Sequence, residues 1–436
     1  MSSITIGFLG IFAVLFFMAL RMPIAYVMAM VGFVGFSYLT SFSAAFDIVS
    51  KELYSTFSSY SFSVIAMFVW MGFLAYHSGV GSKLYVFAYK LIGHWPGGLA
   101  VATQFASAIF GAICGSNTAA AATMGVIALP EMKKYNYEPS LATASVAAGG
   151  VMGAILPPSV LFLVYAMQTE QPVGKLFIAG VVPGIILTFL FIVAIFLLTR
   201  KNPQLGPAGP VFSWRERWQA LWQGVGEVAV VFFFSMGGLF LGWFTPTEAG
   251  SVGAFGILVV SLIGRNLSVK KFINSLVDAT RTTAMIMLLV AGAMIFGRFM
   301  AVSRLPNELA SWTAGLSLHP FVIMLLIYGI YLLIGCIMDA MAMMLLTIPI
   351  FYPIAVDLLG YDPIWFGVVV VLCAVMGVIT PPVGMNVYII KGIAPDVPLE
   401  VIFRGITPFL ICVVICLVLI LFFPQLVLFL PNLIQY

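Results

Sequence analysis

The stretch GAILPPSVLF, residues 153–162, sets two consecutive prolines inside an otherwise apolar run. Proline removes a backbone donor and its ring clashes with the preceding turn, so a Pro-Pro pair ends or unwinds any helix that contains it. The chain repeats the device in GVITPPVGMN, residues 377–386. Two interrupted apolar segments in one chain govern how the rest is read.

The 436 residues are 62% hydrophobic and 8% charged, with a mean hydropathy of +1.14. Soluble domains carry roughly 25% charged residues. Apolar runs of roughly 18 or more residues, enough to cross about 30 Å of hydrocarbon as a helix, recur along the chain. The alternating segments of a β-barrel are absent. The composition therefore predicts an all-α polytopic membrane protein. The first run, 4–20, lacks a basic leader and a small-residue cleavage site and is expected to be a retained helix. Cys114, Cys336, Cys373, Cys412 and Cys416 lie in apolar segments with no metal or redox spacing. His77, His94 and His319 are scattered, and no role is assigned to them.

Laid against itself at a shift of about 224, the chain matches Pro23 with Pro246, Gly111 with Gly335, and Tyr137 of YEP with Tyr361 of YDP. Pro157-Pro158 likewise meets Pro381-Pro382, and Pro183 meets Pro408. The order and the common shift predict a duplication, with its boundary in the polar RKNPQLGPAGPVFSWRER, residues 200–217. Repeat one spans 1–213, with a hairpin at about 96–131 and a broken span at about 141–167. Repeat two spans 214–436, with a hairpin at about 319–353 and a broken span at about 364–390. In the first, spans are expected at 4–20, 23–39, 60–78 and 176–198, and a short amphipathic piece at 83–93. Polar backbone survives at membrane depth only when buried in protein or lining a wet cavity, so the GSNT tip of the first hairpin predicts a re-entrant element. Each repeat then crosses five times, and the second is inverted. That topology puts 15 of the 19 basic residues on one face, leaving Lys51, Lys175, Arg298 and Arg304 on the other. The positive-inside rule makes the basic face cytoplasmic and both termini external.

An inverted repeat with a broken span and a hairpin in each half points to a secondary transporter with sites near mid-membrane. Unwound carbonyls supply hard oxygen ligands of the kind a desolvated Na⁺ requires. One set would come from Gly111 to Gly115 with Ser116, Asn117 and Thr118, joined by Leu156 and Pro157. The other would come from Gly335 to Asp339, including Met338, and from Gly377 to Thr380. The alternative is that the prolines only kink packed helices. Asp339 is the sole acid in LLIGCIMDAMAMMLL, where a carboxylate is expensive unless paired or hydrated; it is either functional or a hydrogen-bonded structural acid. Arg298 either clamps a substrate carboxylate or snorkels to the interface. Ser116, Asn117, Ser159, Asn386 and Arg298 are the candidate substrate contacts. Glu248 follows a proline at a span start, where an acid suits a helix N-terminus. No HExxH helix or paired carboxylate suggests an intramembrane enzyme.

GHWPGGLA, GAICGSNTAAAATMG, AAGGVMGAILPPS, FIAGVVPG, FTPTEAG and YDPIWFGVVVVLCAVMGVITPPVG together resemble the large membrane subunit of tripartite ATP-independent periplasmic (TRAP) transporters, over nearly the whole chain. The resemblance implies an elevator-type, Na⁺-coupled importer of organic acids such as C4-dicarboxylates or sialic acid, in the bacterial inner membrane. It implies two partners, a periplasmic substrate-binding protein and a small membrane subunit, and no cofactor beyond Na⁺. Carried over by position, its two sodium sites fall on Gly111, Cys114 and Gly153 to Pro157, and on Gly335, Asp339 and Gly377 to Pro381. Gly111 and Cys114 stand where the family often has serine, a change neutral to ligation by carbonyls but not by side chains. A conventional sodium- or proton-coupled carboxylate carrier without a binding protein is the alternative.

Overall fold

The computed structural model describes residues 2–316 and 318–433; Met1, Ser317 and 434–436, which the repeat boundaries include, lie outside the described residues. Among the described residues there are helices and no strands. Seven helical segments among the described residues are long and apolar enough to cross a membrane, and shorter apolar helices accompany them.

One group of helices forms a frame. Ile24–Leu39 packs along Val269–Ser303, and Ser63–His77 packs against both Val269–Ser303 and Pro246–Ile263. The crossing of the first pair depends on Gly32, where a Cβ would stand 2.8 Å from the backbone nitrogen of Phe296. Phe296 and Phe299 are buried at this contact. His77, left without a role by its sequence context, has its Nε2 2.8 Å from Asp278 Oδ2 and ties two frame helices together.

Helix Phe42–Ser58 is an addition to the span count read from sequence. Ser41 Oγ accepts from Ala44 N at 3.2 Å and starts it. Asp47, Lys51 and Glu52 break up its apolar pattern, which is why it does not read as a span. At the repeat shift, this helix and Ser63–His77 correspond to one uninterrupted 35-residue helix, Val269–Ser303.

The second group holds the hairpins and the broken segments. The first hairpin has arms Gly98–Cys114 and Asn117–Lys134, and the second Pro320–Gly335 and Ala340–Tyr352. The first broken segment runs Pro139–Gly150, Met152–Ile155 and Val160–Thr169, interrupted at 156–159. The second runs Pro363–Gly377 and Met385–Ile393, interrupted at 378–384. Both interruptions contain a cis peptide, Pro157-Pro158 and Pro381-Pro382. Although 139–169 is apolar enough to face lipid, nearly all of it is buried in protein, as a segment with unpaired backbone groups requires. Val173–Lys201 and Leu399–Phe422 flank this core.

Candidate functional site

The first hairpin closes onto the first interruption backbone to backbone. Glycines make this possible: a Cβ on Gly111 would lie 2.7 Å from Gly153 Cα, and one on Gly153 would lie 2.5 Å from Ser116 O. Gly115, left-handed at φ +63°, turns the tip, and its carbonyl accepts from Val160 N across the gap at 3.2 Å. Two helices end here, Gly98–Cys114 and Met152–Ile155, and two begin, capped by Ser116 and Ser159. Helix C-termini present carbonyl oxygens that suit cations, and N-termini present N–H groups that suit anions. The hairpin and the break thus bring both kinds of end to one place.

The second interruption repeats the arrangement with different chemistry. A Cβ on Gly335 would stand 3.3 Å from Gly377 Cα, and Val383 N donates to Cys336 O at 3.4 Å. The helix that starts here is capped by an acid: Asp339 Oδ2 accepts from Met341 N at 3.1 Å. Among the described residues no basic side chain pairs with this carboxylate. Thr380 Oγ1 donates to Met376 O at 2.6 Å.

The halves meet at the first site. Asn386, which opens the helix after the second interruption, donates from Nδ2 to Ala147 O at 3.1 Å. A Cβ on the neighbouring Gly150 would be 2.9 Å from both Asn117 O and Asn386 Nδ2. Asn117 Nδ2 and Asn386 Oδ1 are buried and have no hydrogen-bond partner among the described residues. Buried polar groups are nearly always satisfied, so a donor and an acceptor left open at one junction call for a ligand or water.

Other candidates are already engaged. Cys114 is buried, with Sγ 3.5 Å from Ser116 O, and Ser159 donates to Ala154 O at 2.6 Å. Arg298 is not brought to this cluster; its Nε donates to Glu52 Oε1 at 2.8 Å, and Glu52 is only 3% exposed. Neither Glu52 nor the Asn386–Ala147 contact has a local sequence signal, because both join segments more than 230 residues apart. Glu248 does cap its helix: Thr245 N donates to its Oε2 at 2.8 Å, and Thr245 Oγ1 accepts from Glu248 N at 3.3 Å. A surface cavity of about 560 Å³ bordered by Lys133, Asn136, Glu138, Asn202, Gln204 and Asp396 lies outside both interruptions.

Residues 9–426 match the family described as the tripartite ATP-independent periplasmic transporter, DctM component. The chain is 35% identical over 387 residues to the C4-dicarboxylate TRAP transporter large permease protein DctM of Pseudomonas aeruginosa, covering 87% of this chain and 88% of that one. It is 30% identical over 413 residues to the sialic acid TRAP transporter large permease protein SiaM of Vibrio cholerae, covering 94% and 95%. Among solved structures, the Alcanivorax borkumensis YdaH transporter superposes with a TM-score of 0.63 at 14% identity, over 87% of this chain and 88% of that one. That last likeness is one of fold.

Proposed function

This chain belongs to the DctM family of TRAP transporter large permeases, and from that premise we propose that it imports an organic acid by Na⁺-coupled secondary transport. It is a transport component and not an enzyme. A periplasmic binding protein delivers the substrate and a small membrane subunit completes the complex. C4-dicarboxylates and sialic acid, the substrates in the names of two relatives, define the class.

The observation that carries this reading is the pair of glycine-mediated contacts, Gly111 with Gly153 and Gly335 with Gly377, each seating a hairpin tip on an unwound segment. One Na⁺ is assigned to the carbonyls of Gly111, Cys114, Gly115, Gly153, Leu156 and Pro157 with Ser116 and Asn117. The second is assigned to Gly335, Met338, Asp339, Gly377, Thr380 and Pro381. The open amide atoms of Asn117 and Asn386, with Ser116, form the substrate contact, Ser159 fixes the local backbone, and Arg298 takes part only when its pair with Glu52 opens.

Two inverted repeats, 1–213 and 214–436, are supported by the matched order of hairpin, interruption and flanking helix. The left-handed joint at Gly79, before Val80–Ile92, has its counterpart at Arg304, before Leu305–Gly315. In an elevator motion the hairpins and broken segments move as a body against the frame. Both termini are placed in the periplasm. An impermeant thiol reagent should label a cysteine at Asn432 and spare one at Ala208, and the opposite pattern would refute the topology.

Uptake into proteoliposomes containing both membrane subunits tests the function. Transport should need the binding protein and an inward Na⁺ gradient, with a Hill coefficient for sodium above one. Appreciable uptake of free substrate without the binding protein would make this a conventional carrier, and indifference to sodium would remove the coupling ion.

A further inference from the structure

The segment that joins the two halves carries side chains that transport leaves unused. Its first part is strapped down: Gly97 N donates to Gly206 O at 2.7 Å, Glu138 N to Leu205 O at 3.0 Å, and Gly209 N to Gly93 O at 2.8 Å. The Phe212 ring meets Tyr89 edge-on at 5.3 Å, with Lys90 Nζ 5.8 Å from its centroid. Helix Trp214–Leu221 follows, started by a reciprocal capping box between Ser213 and Glu216, and packs along Val80–Ile92.

Trp214, Trp218 and Trp222 recur every four residues, the spacing of one helix face. They are 74%, 58% and 59% exposed. From Trp222 the five-residue π turn Trp222–Gly226 and the 14-residue helix Glu227–Phe240 continue for about 28 Å at roughly 1.5 Å per residue, and exposed Trp243 follows in the closing turn. Tryptophans therefore stand at both ends of a segment of about hydrocarbon thickness, as in the aromatic belts of membrane proteins. Trp218 and Trp214 continue outward from one end, into the headgroup layer.

The charge at that end is basic. Arg215 is exposed, and the Arg217 guanidinium lies 5.4 Å from the Trp214 ring centroid. Neither arginine forms an ion pair among the described residues. Glu216, the one acid in the helix, is spent on Ser213, whose N and Oγ both donate to its Oε2.

We propose that the Trp214, Trp218 and Trp222 face, flanked by Arg215 and Arg217, docks on anionic lipid headgroups. The Trp222 ring sits at the acyl boundary, the Trp218 and Trp214 rings lie among the headgroups, and the guanidinium groups meet lipid phosphates, which anchors the linker between the strapped part and the following span. The cytoplasmic location of this surface rests on the proposed topology, whereas the lipid preference does not.

The test uses the full chain with its small subunit in nanodiscs of phosphatidylcholine containing increasing phosphatidylglycerol, one lipid or the other brominated to quench tryptophan. Brominated phosphatidylglycerol should quench more than brominated phosphatidylcholine at equal mole fraction. R215Q/R217Q should raise the half-saturating phosphatidylglycerol fraction about tenfold or more, since each basic group near an anionic surface is worth about fivefold. R215K/R217K, which keeps the charge, should restore the preference, and W214F/W218F/W222F should abolish the preferential quenching. Equal quenching by the two lipids, or a preference that survives R215Q/R217Q, would overturn the proposal. So would a tryptophan face shielded from both lipids by the small subunit. Reversed thiol labelling with the lipid preference intact would refute the topology alone.

Discussion

Pro157 and Pro158 are buried beneath the first hairpin, whereas Pro381 and Pro382 stand exposed beside the second. The first tip is held by a 3.2 Å backbone bond from Val160 N to Gly115 O and capped by the neutral Ser116. The second is held by a 3.4 Å bond from Val383 N to Cys336 O and capped by the half-buried Asp339. Matched sequence devices have thus produced a more deeply buried arrangement of dipoles and a more exposed one with a carboxylate. Segments with exposed backbone and fewer buried contacts open at lower free energy. If the two positions hold Na⁺ as proposed, the second should exchange its ion more readily than the first, which is crossed by the Asn117–Asn386 junction.

The sharpest way to break this contrast is to remove the charge. Asp339→Asn keeps an acceptor for the Met341 amide but takes the carboxylate from the second site. Interactions with a charged group contribute about 1.5–3 kcal/mol, so sodium affinity there should fall on the order of tenfold to a hundredfold. Sodium titration of the purified complex by calorimetry reads this directly. The first site should keep its affinity, and Glu248→Gln, which alters only a helix cap, should change neither. A normal second-site affinity in Asp339→Asn would make the acid architectural.

Much of this was legible because it is local. Pro-Pro pairs, a Gly-rich hairpin and a lone acid in an apolar run each act on their own backbone, so the breaks, the tips and Asp339 can be read directly. Helix Phe42–Ser58 was hidden because three charges interrupt its apolar pattern and the side it buries against the frame is Ala45, Glu52 and Thr56, while Phe42, Phe46 and Phe57 stay exposed. Arg298 looked free because its partner, Glu52, is 246 residues away. Asn386 could be proposed as a contact, but its landing point on Ala147 O could not. The strap from 202 to 212 read only as a polar boundary, since Pro and Gly mark a linker equally well whether its backbone is free or bonded to a neighbour.

A gentler probe compares the two glycine seats. A methyl group at Gly111 would meet the Gly153 backbone at 2.7 Å, with no flexible side chain to yield, while at Gly335 the nearest atoms are Met343 Sδ at 3.2 Å and Gly377 Cα at 3.3 Å. Overpacking of a tight core costs about 1–3 kcal/mol. Gly111→Ala should therefore lower the melting temperature of the detergent-solubilised protein by several degrees and impair the first site, while Gly335→Ala should shift it much less. The room in the second seat is on the Gly335 side alone, since a Cβ at Gly377 would stand 2.4 Å from Gly335 O, so Gly377→Ala should cost as much as Gly111→Ala; an equally large shift in Gly335→Ala would mean that Met343 cannot yield.

The smallest effect is expected at the surface contact between the two regions. Lys133, at the base of the first hairpin, lies with Nζ 2.9 Å from Asp396 Oδ2 in the loop after the second broken segment. The hydrogen bond from Lys133 holds the Asp396 carboxyl below its ordinary range, and Asp396 in turn holds the Lys133 ammonium above its own. The lowered carboxyl stabilises the fold above the unfolded pKa of about 3.9 and loses that contribution as pH falls through the folded value; the raised ammonium stabilises it below about 10.4 and loses it at higher pH. Both ends are exposed and screened, so Lys133→Ala should lower the melting temperature only slightly and by the same amount from about pH 5 to pH 9. The difference from the parent should shrink below about pH 4 and in high salt. Melting curves at several pH values, paired with sodium titrations, check this. A large sodium effect in Lys133→Ala would show that the surface pair bears on ion binding and is not a peripheral contact.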